Sequence, residues 1–99
     1  MTPEGKVQKK ILDYLESLDC CKVIKTIKVN EAGNPDIIGC WRGIMFLFEV
    51  KKDEKAAKES SKRQPLQDVR IKEWNDAGAY ATKVWSVEQV EGLLGSIRL

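Results

Sequence analysis

A chain of 99 residues can close about 60 to 70% of its unfolded surface around one core, so it reads as one domain, 1–99, too small for two catalytic modules. Its 17 Lys and Arg against 15 Asp and Glu give a net charge of +2, too balanced for a polybasic nucleic-acid binder, so any basic surface has to be local. The chain has no histidine, which excludes Ser-His-Asp and Cys-His nucleophiles, His-bound zinc and any imidazole base, and leaves carboxylates, lysines, hydroxyls and thiols for chemistry.

Thr2 followed by Pro3 is a helix start, a hydroxyl cap with proline in the first turn. Val7, Ile11, Tyr14, Leu15 and Leu18 then form one apolar face, with Lys6, Lys9, Lys10 and Asp13 turned away. Cys20 and Cys21 are adjacent and Cys40 stands apart, with no C-x-x-C pair, so reduced thiols buried in a cytoplasmic protein are expected. Over 21–29, Val23, Ile27 and Val29 alternate with Ile24, Thr26 and Lys28 as in a strand. The segment 30–35 holds Gly33, Asn34 and Pro35 and reads as a loop.

Two apolar runs, 36–41 and 44–51, flank Arg42-Gly43 and predict a tight hairpin. The second carries Ile44-Met45-Phe46-Leu47-Phe48, apolar on both faces, and is expected to be a central, doubly covered strand. At five residues it is far short of the ~20 needed to cross a bilayer, so a soluble protein is expected. The stretch 52–63 is charged and lacks apolar periodicity, which predicts an exposed, mobile loop. Ser61 to Gln64 has capping-box spacing before a second helix through Leu66, Val69, Ile71 and Trp74, ending at Ala77-Gly78. A last strand over 79–85 and a helix from Ser86-Val87-Glu88-Gln89 through Val90, Leu93 and Leu94 complete an αβββαβα order. In that order a right-handed crossover returns the last strand to the sheet.

Polar residues at apolar positions are the informative misfits. Glu4 continues the buried stripe of the first helix, although a first-turn carboxylate is also favoured by the helix dipole. Glu49 and Lys51 share one face of the central strand with Met45 and Leu47, a costly placement unless they are paired or liganded. A strand emerging into solvent with an ion pair is the plain alternative. Asp36 opens the hairpin, where an Asx turn would also explain it. Gln67 falls on the sheet-facing side of the second helix, as a rim glutamine can. Taken together, Asp36 and Glu49 come from paired strands, and converging carboxylates with water suit a hard divalent cation.

Asn34-Pro35-Asp36 followed by Glu49-Val50-Lys51 resembles the PD-(D/E)xK nuclease signature. With Pro3-Glu4-Gly5 opening the first helix, Gly33 before Asn34, Phe48 before Glu49, and Leu66-Gln67 ahead of Ala77-Gly78-Ala79, the chain resembles the small VRR-NUC domains. These are virus-type replication-repair nucleases found as stand-alone phage and bacterial proteins and at the end of a Fanconi-associated repair nuclease. The resemblance implies an α/β, restriction-endonuclease-like domain with a mixed central sheet flanked by helices. It also implies hydrolysis of DNA phosphodiesters to 5′-phosphate and 3′-hydroxyl ends, in the cytoplasm of a bacterium or a phage-infected host cell, with no membrane partner.

The resemblance further implies Mg²⁺ or Mn²⁺ held by Asp36, Glu49 and the Val50 backbone carbonyl, with Glu4 joining directly or through water. Lys51 would position the attacking water and offset charge, oriented by Gln67, with Gln64 as the alternative glutamine. Lys52, Lys55, Lys58, Lys62 and Arg63 outnumber the acids of 51–63, and Lys6, Lys9 and Lys10 lie beside Glu4, so these are the expected DNA contacts. One site per chain would require a homodimer to cut two strands together, and four-way junctions share its two-fold symmetry. Holliday-junction cleavage is the leading expectation, with Trp41, Trp85, Val90, Leu93, Leu94, Ile97 and Leu99 as dimer contacts or core. Flap, nick or duplex cleavage, or a DNA-binding module without activity, are the alternatives.

Overall fold

The structure is a computed structural model and describes residues 1–27 and 29–98. Thr2 caps α1 (Pro3–Glu16), its hydroxyl accepting the Gly5 N–H at 2.9 Å. Ile11 and Leu15 on its apolar face are fully buried. The strand β1 (Cys21–Lys25) is shorter than the pattern 21–29 suggests. Its partner β2 (Ile37–Trp41) follows Pro35, which has no N–H to extend the ladder, and Thr26 turns its hydroxyl to the Pro35 carbonyl at 2.5 Å instead. Ile27 and Val29 are left exposed, and Lys28 lies outside the described residues.

Arg42 and Gly43 both have positive φ, 50° and 87°, and make the tight turn into β3 (Ile44–Val50). This strand is interior, as its two apolar faces require. It pairs antiparallel with β2 and parallel with β4 (Tyr80–Val84), giving the order β1-β2-β3-β4 in a mixed four-stranded sheet. Every side chain from Phe46 to Val50 is buried. Phe46 and Phe48 stack at 4.9 Å and, with Val50, meet Ile11 and Leu15 of α1 and Val90 and Leu94 of α4 (Val87–Arg98) in one core. Ser86 caps α4 as expected, its Oγ accepting the Gln89 N–H at 3.1 Å, while Gln89 Oε1 reaches one residue past the cap and accepts the Trp85 N–H at 2.7 Å.

The segment 52–63 is not a loop, and the order is αβββααβα. Asp53 caps α2 (Glu54–Arg63), accepting the Ala56 N–H at 2.8 Å, and Lys62 and Arg63 suit the negative helix end. Only Ala57 and Ser60 are buried, so a helix held by its cap and its ends leaves no apolar period to detect. Helix α3 (Pro65–Asp76) begins at Pro65 without a side-chain cap, so Ser61 is not its capping residue. Its C-terminal end is clipped to β4, where Asn75 donates to the Ala81 carbonyl at 2.8 Å and accepts the Ala81 N–H at 2.9 Å.

The thiols are free, as expected, but Cys20 and Cys40 are exposed and Cys21 half-buried. Cys20 sits in a turn at φ 59° and Cys40 on the uncovered outer face of β2, which explains their exposure. Val90 and Leu94 are core, and Trp41, Leu93 and Ile97 pack against it, so core packing accounts for most of the residues considered as dimer contacts. Leu99 lies outside the described residues. No helix among the described residues is long and apolar enough to cross a membrane.

A helical 54–63 depends on Asp53. The variant Asp53→Ala is expected to lose about 1 kcal/mol of stability, read by urea denaturation, with faster amide exchange confined to α2. A mobile loop would show neither change.

Candidate active site

Strand alternation sends Leu47, Glu49 and Lys51 to the face opposite Phe46, Phe48 and Val50. Both charged groups are withdrawn from water, Glu49 to 4% and Lys51 to 7% exposure. Burial of this kind costs several kcal/mol per ion unless each finds close partners. Lys51 Nζ donates to Gln64 Oε1 at 3.0 Å and to Gln67 Oε1 at 2.9 Å, and lies 3.6 Å from Glu49 Oε2. An ammonium only donates, so the amide oxygens are the ends it selects. Gln64 closes α2 and Gln67 lies in the first turn of α3, so the two helices meet at Pro65 with both glutamines on one lysine. Both glutamines that the sequence offers as alternatives thus contact Lys51.

Asp36 enters from the start of β2. Its carbonyl accepts the Thr26 N–H at 2.7 Å and its Oδ2 accepts the Val50 N–H at 2.9 Å. The loop before it is braced by α3: Trp74 Nε1 donates to Asn34 Oδ1 at 2.8 Å and Arg70 Nε donates to the Ala32 carbonyl at 2.9 Å. Gly33 has φ 86°, and a Cβ there would stand 2.8 Å from Leu66 Cγ, so glycine fits both the turn and the contact. One helix thus carries Gln67 and also holds the loop that delivers Asp36.

Glu4 sits in the first turn of α1 and is exposed rather than buried. Even so, one carboxylate oxygen each from Glu4, Asp36 and Glu49 lies within 4.8 Å of the others. Burial first, then the Asp36 charge, pushes Glu49 up to about 8; Lys51 pulls it down, while a hydrogen bond with Asp36 and the Glu4 charge add to the rise. Three convergent hard oxygen donors, crowded enough to keep a proton among them, fit a divalent cation of the Mg²⁺ or Mn²⁺ class. Beside them is a cleft of about 330 Å³ lined by Glu4, Lys51, Lys52, Arg63 and Gln64.

The lysines and arginine assigned from sequence do not all gather there. Lys52 and Arg63 line the cleft. Lys9 pairs with Asp13 at 2.8 Å and borders a separate hollow with Leu12 and Lys25. Lys55 pairs with Glu59 at 4.0 Å. Lys58 faces a third hollow with Lys83, Asp68 and Trp85, and Lys10 a fourth beside Trp85 and Val87. Lys6 and Lys62 are exposed on α1 and α2. Sequence reasoning missed Lys83, although a lysine in the middle of a short apolar strand is the same kind of misfit that drew attention to Glu49 and Lys51.

Neither a family model nor a curated protein matches the chain. A solved structure described as a "VRR_NUC domain" superposes with a TM-score of 0.76 at 32% sequence identity, covering 96% of this chain and 97% of that one. The chain belongs to the VRR-NUC family. It is a nuclease domain, and the fold expected from the Pro35-Asp36 and Glu49-Val50-Lys51 signature is the fold found.

The state of Glu49 has a measurable consequence. Its native value of about 8 lies above the ordinary 4.5, so between those limits the folded protein holds the extra proton. Stability from this group is complete below the unfolded value and is lost as pH rises through about 8. In metal-free buffer, the unfolding free energy of wild type minus that of Glu49→Gln is expected to fall from about pH 5 to about pH 8.5. A flat or rising difference in urea titrations would show that Glu49 is not held protonated by its surroundings.

Proposed function

We propose that this VRR-NUC domain is a metal-dependent DNA endonuclease that hydrolyses phosphodiesters to 5′-phosphate and 3′-hydroxyl ends. The observation that carries the reading is the meeting of the Glu4, Asp36 and Glu49 oxygens within 4.8 Å, beside a Lys51 ammonium 3.6 Å from Glu49. Asp36, Glu49 and the Val50 carbonyl would hold Mg²⁺ or Mn²⁺, with Glu4 joining directly or through water. Such a cation, when bound, supplies Lewis acidity that acidifies water and offsets the charge growing on the scissile phosphate.

The chain's own residues have distinct tasks. Asp36 is oriented by the Val50 N–H, which fixes one of its oxygens. Lys51 gives two N–H groups to Gln64 and Gln67, which sets the direction of the third. That third donor can hold the attacking water and stabilise the phosphate oxygens as charge develops. Water adds its oxygen to phosphorus, the bond from phosphorus to the 3′-oxygen breaks, and the 3′-oxygen takes up a proton. Lys52 and Arg63 in the cleft meet the DNA backbone, with Lys6, Lys10, Lys55, Lys58 and Lys62 extending the contact around it and Lys9 at its margin.

Among the described residues there is one such carboxylate cluster per chain. Paired incisions therefore call for two copies, and a two-fold homodimer matches the symmetry of a four-way junction. Holliday-junction cleavage is the specific form of the proposal, with DNA repair or recombination as its setting.

The test compares wild type, Glu49→Ala and Lys51→Met on labelled four-way junction, flap, nick and linear duplex, with Mg²⁺, Mn²⁺ or EDTA. Cleavage by wild type is expected only with metal and fastest on the junction, and Glu49→Ala should not cleave. Lys51→Met should be about a hundredfold slower, the scale of losing one preorganised donor to transition-state charge. No cleavage with either metal, or cleavage indifferent to EDTA and to Glu49, would sink the enzyme reading. A monomer by light scattering in the presence of junction DNA would remove the resolvase form while leaving the nuclease.

A further inference from the structure

Lys83 lies opposite Glu49 in the parallel β3–β4 register, and its side chain is 13% exposed. A lysine so far from water has to satisfy its three N–H donors within the protein. They go to the Asp68 carboxylate at 2.8 Å, the Ser61 hydroxyl at 3.2 Å and the Ala57 carbonyl at 3.3 Å. Ala57 and Ser61 are one turn apart on α2, and Asp68 is in the first turn of α3. A single ammonium on the sheet therefore grips both helices beside the corner where they meet.

The corner residues are Gln64 and Gln67, the pair on Lys51 Nζ. Gln64 follows Ser61 by three residues and Gln67 immediately precedes Asp68. At the corner itself the backbone holds through Gln64 N–H to the Ser60 carbonyl at 2.7 Å and Gln67 N–H to the Gln64 carbonyl at 3.1 Å, but α3 starts without a side-chain cap and none of its residues is fully buried. The Lys83 charge and hydrogen bonds also hold the Asp68 carboxyl below the usual carboxylate range, with the hydrogen bond from Lys83 as the largest cause, so the grip is electrostatically favourable.

We propose that Lys83 is a positioning residue of this nuclease, locking the corner between α2 and α3 so that the Gln64 and Gln67 amide oxygens converge on the Lys51 ammonium. Lys83 itself does not touch substrate, because its donors are all engaged inside the protein. The inference rests on the reading of Lys51 as the group that serves the attacking water. It goes beyond that reading by assigning the geometry of Lys51 to a residue on a different strand, linked to it through Asp68 and the adjacent Gln67.

The experiment uses the full chain in three variants. Lys83→Met keeps the aliphatic stem and removes the donors, Lys83→Arg keeps charge and donors, and Asp68→Asn weakens the grip from a side chain that is 41% exposed. Two quantities are read: the slowly exchanging ammonium signal of Lys51 in ¹⁵N-lysine protein without metal or DNA, and kcat and KM for junction cleavage. Folded Lys83→Met is expected to lose the Lys51 signal and about tenfold or more in kcat, since small misplacements of a positioned group cost rate. Its KM should stay within about twofold of wild type. Asp68→Asn should be intermediate, and Lys83→Arg should restore both quantities in part.

If Lys83→Met does not fold, Asp68→Asn carries the test. A folded variant with an unchanged Lys51 signal and unchanged kcat overturns the proposal, because a merely structural role would lower melting temperature alone. If wild type fails to cleave while Lys83→Met still loses the Lys51 signal, the positioning stands and the endonuclease reading falls.

Discussion

Glu49 and Lys51 are ionisable groups at the end of a strand whose side chains are buried from Phe46 onward. Neither can be left unpartnered there without a penalty of several kcal/mol, and their separation of 3.6 Å is too long for a tight ion pair to satisfy both. Other elements are required to complete the solvation that water would have given. Helices α2 and α3 bring two amide oxygens to Lys51, while the start of β2 and the start of α1 set two more carboxylates against Glu49 and favour its protonated form. The lysine meets neutral acceptors, whereas the carboxylates are crowded against one another, which with burial pushes Glu49 up to about 8. That asymmetry is what makes the acidic side of the site receptive to a cation.

The remainder of the fold can be read as support for this imbalance. The apolar face of β3, stacked through Phe46 and Phe48 on α1 and α4, fixes the strand so that Glu49 cannot turn out to solvent. On the other face α3 lacks a buried stripe of its own, and polar contacts fasten it instead: Trp74 to Asn34, Arg70 to the Ala32 carbonyl, Asn75 to Ala81. These contacts also anchor the loop of Asp36. A helix tied by hydrogen bonds instead of apolar burial can be placed to suit the site, since its position is set by a few directional contacts and not by filling a core.

Much of this was legible in the sequence where the signal is local. Thr2-Pro3, Arg42-Gly43 and the Ser86 to Gln89 spacing each specify a cap or turn through adjacent residues, and each is found as expected. The doubly apolar run at 44–48 gave the central strand because burial on both faces leaves no alternation. Helix α2 is hidden because only Ala57 and Ser60 are buried, too few positions to set a period. With α2 unseen, Gln64 could not be recognised as the end of a helix aimed at Lys51. Strand β1 was overextended because Ile27 and Val29 have strand-like side chains, while Pro35 across from them has no donor to continue pairing. Among the candidate site residues, Asp36, Glu49, Lys51 and Gln67 broke an apolar pattern and could be read; the role of Lys83 depends on which helices the sheet meets, and only the fold supplies that.

The central claim is that the convergent carboxylates of Glu4, Asp36 and Glu49 form one cation site. It is most directly tested by Mn²⁺ binding to the protein without DNA, followed by isothermal titration and by the electron paramagnetic resonance signal of free Mn²⁺. The account predicts one site in wild type, lost in Asp36→Asn and Glu49→Gln, weakened in Glu4→Gln, and accompanied by proton release near pH 7 as Glu49 gives up its proton. Equal Mn²⁺ binding by wild type and both Asp36→Asn and Glu49→Gln, with no proton released, would contradict it.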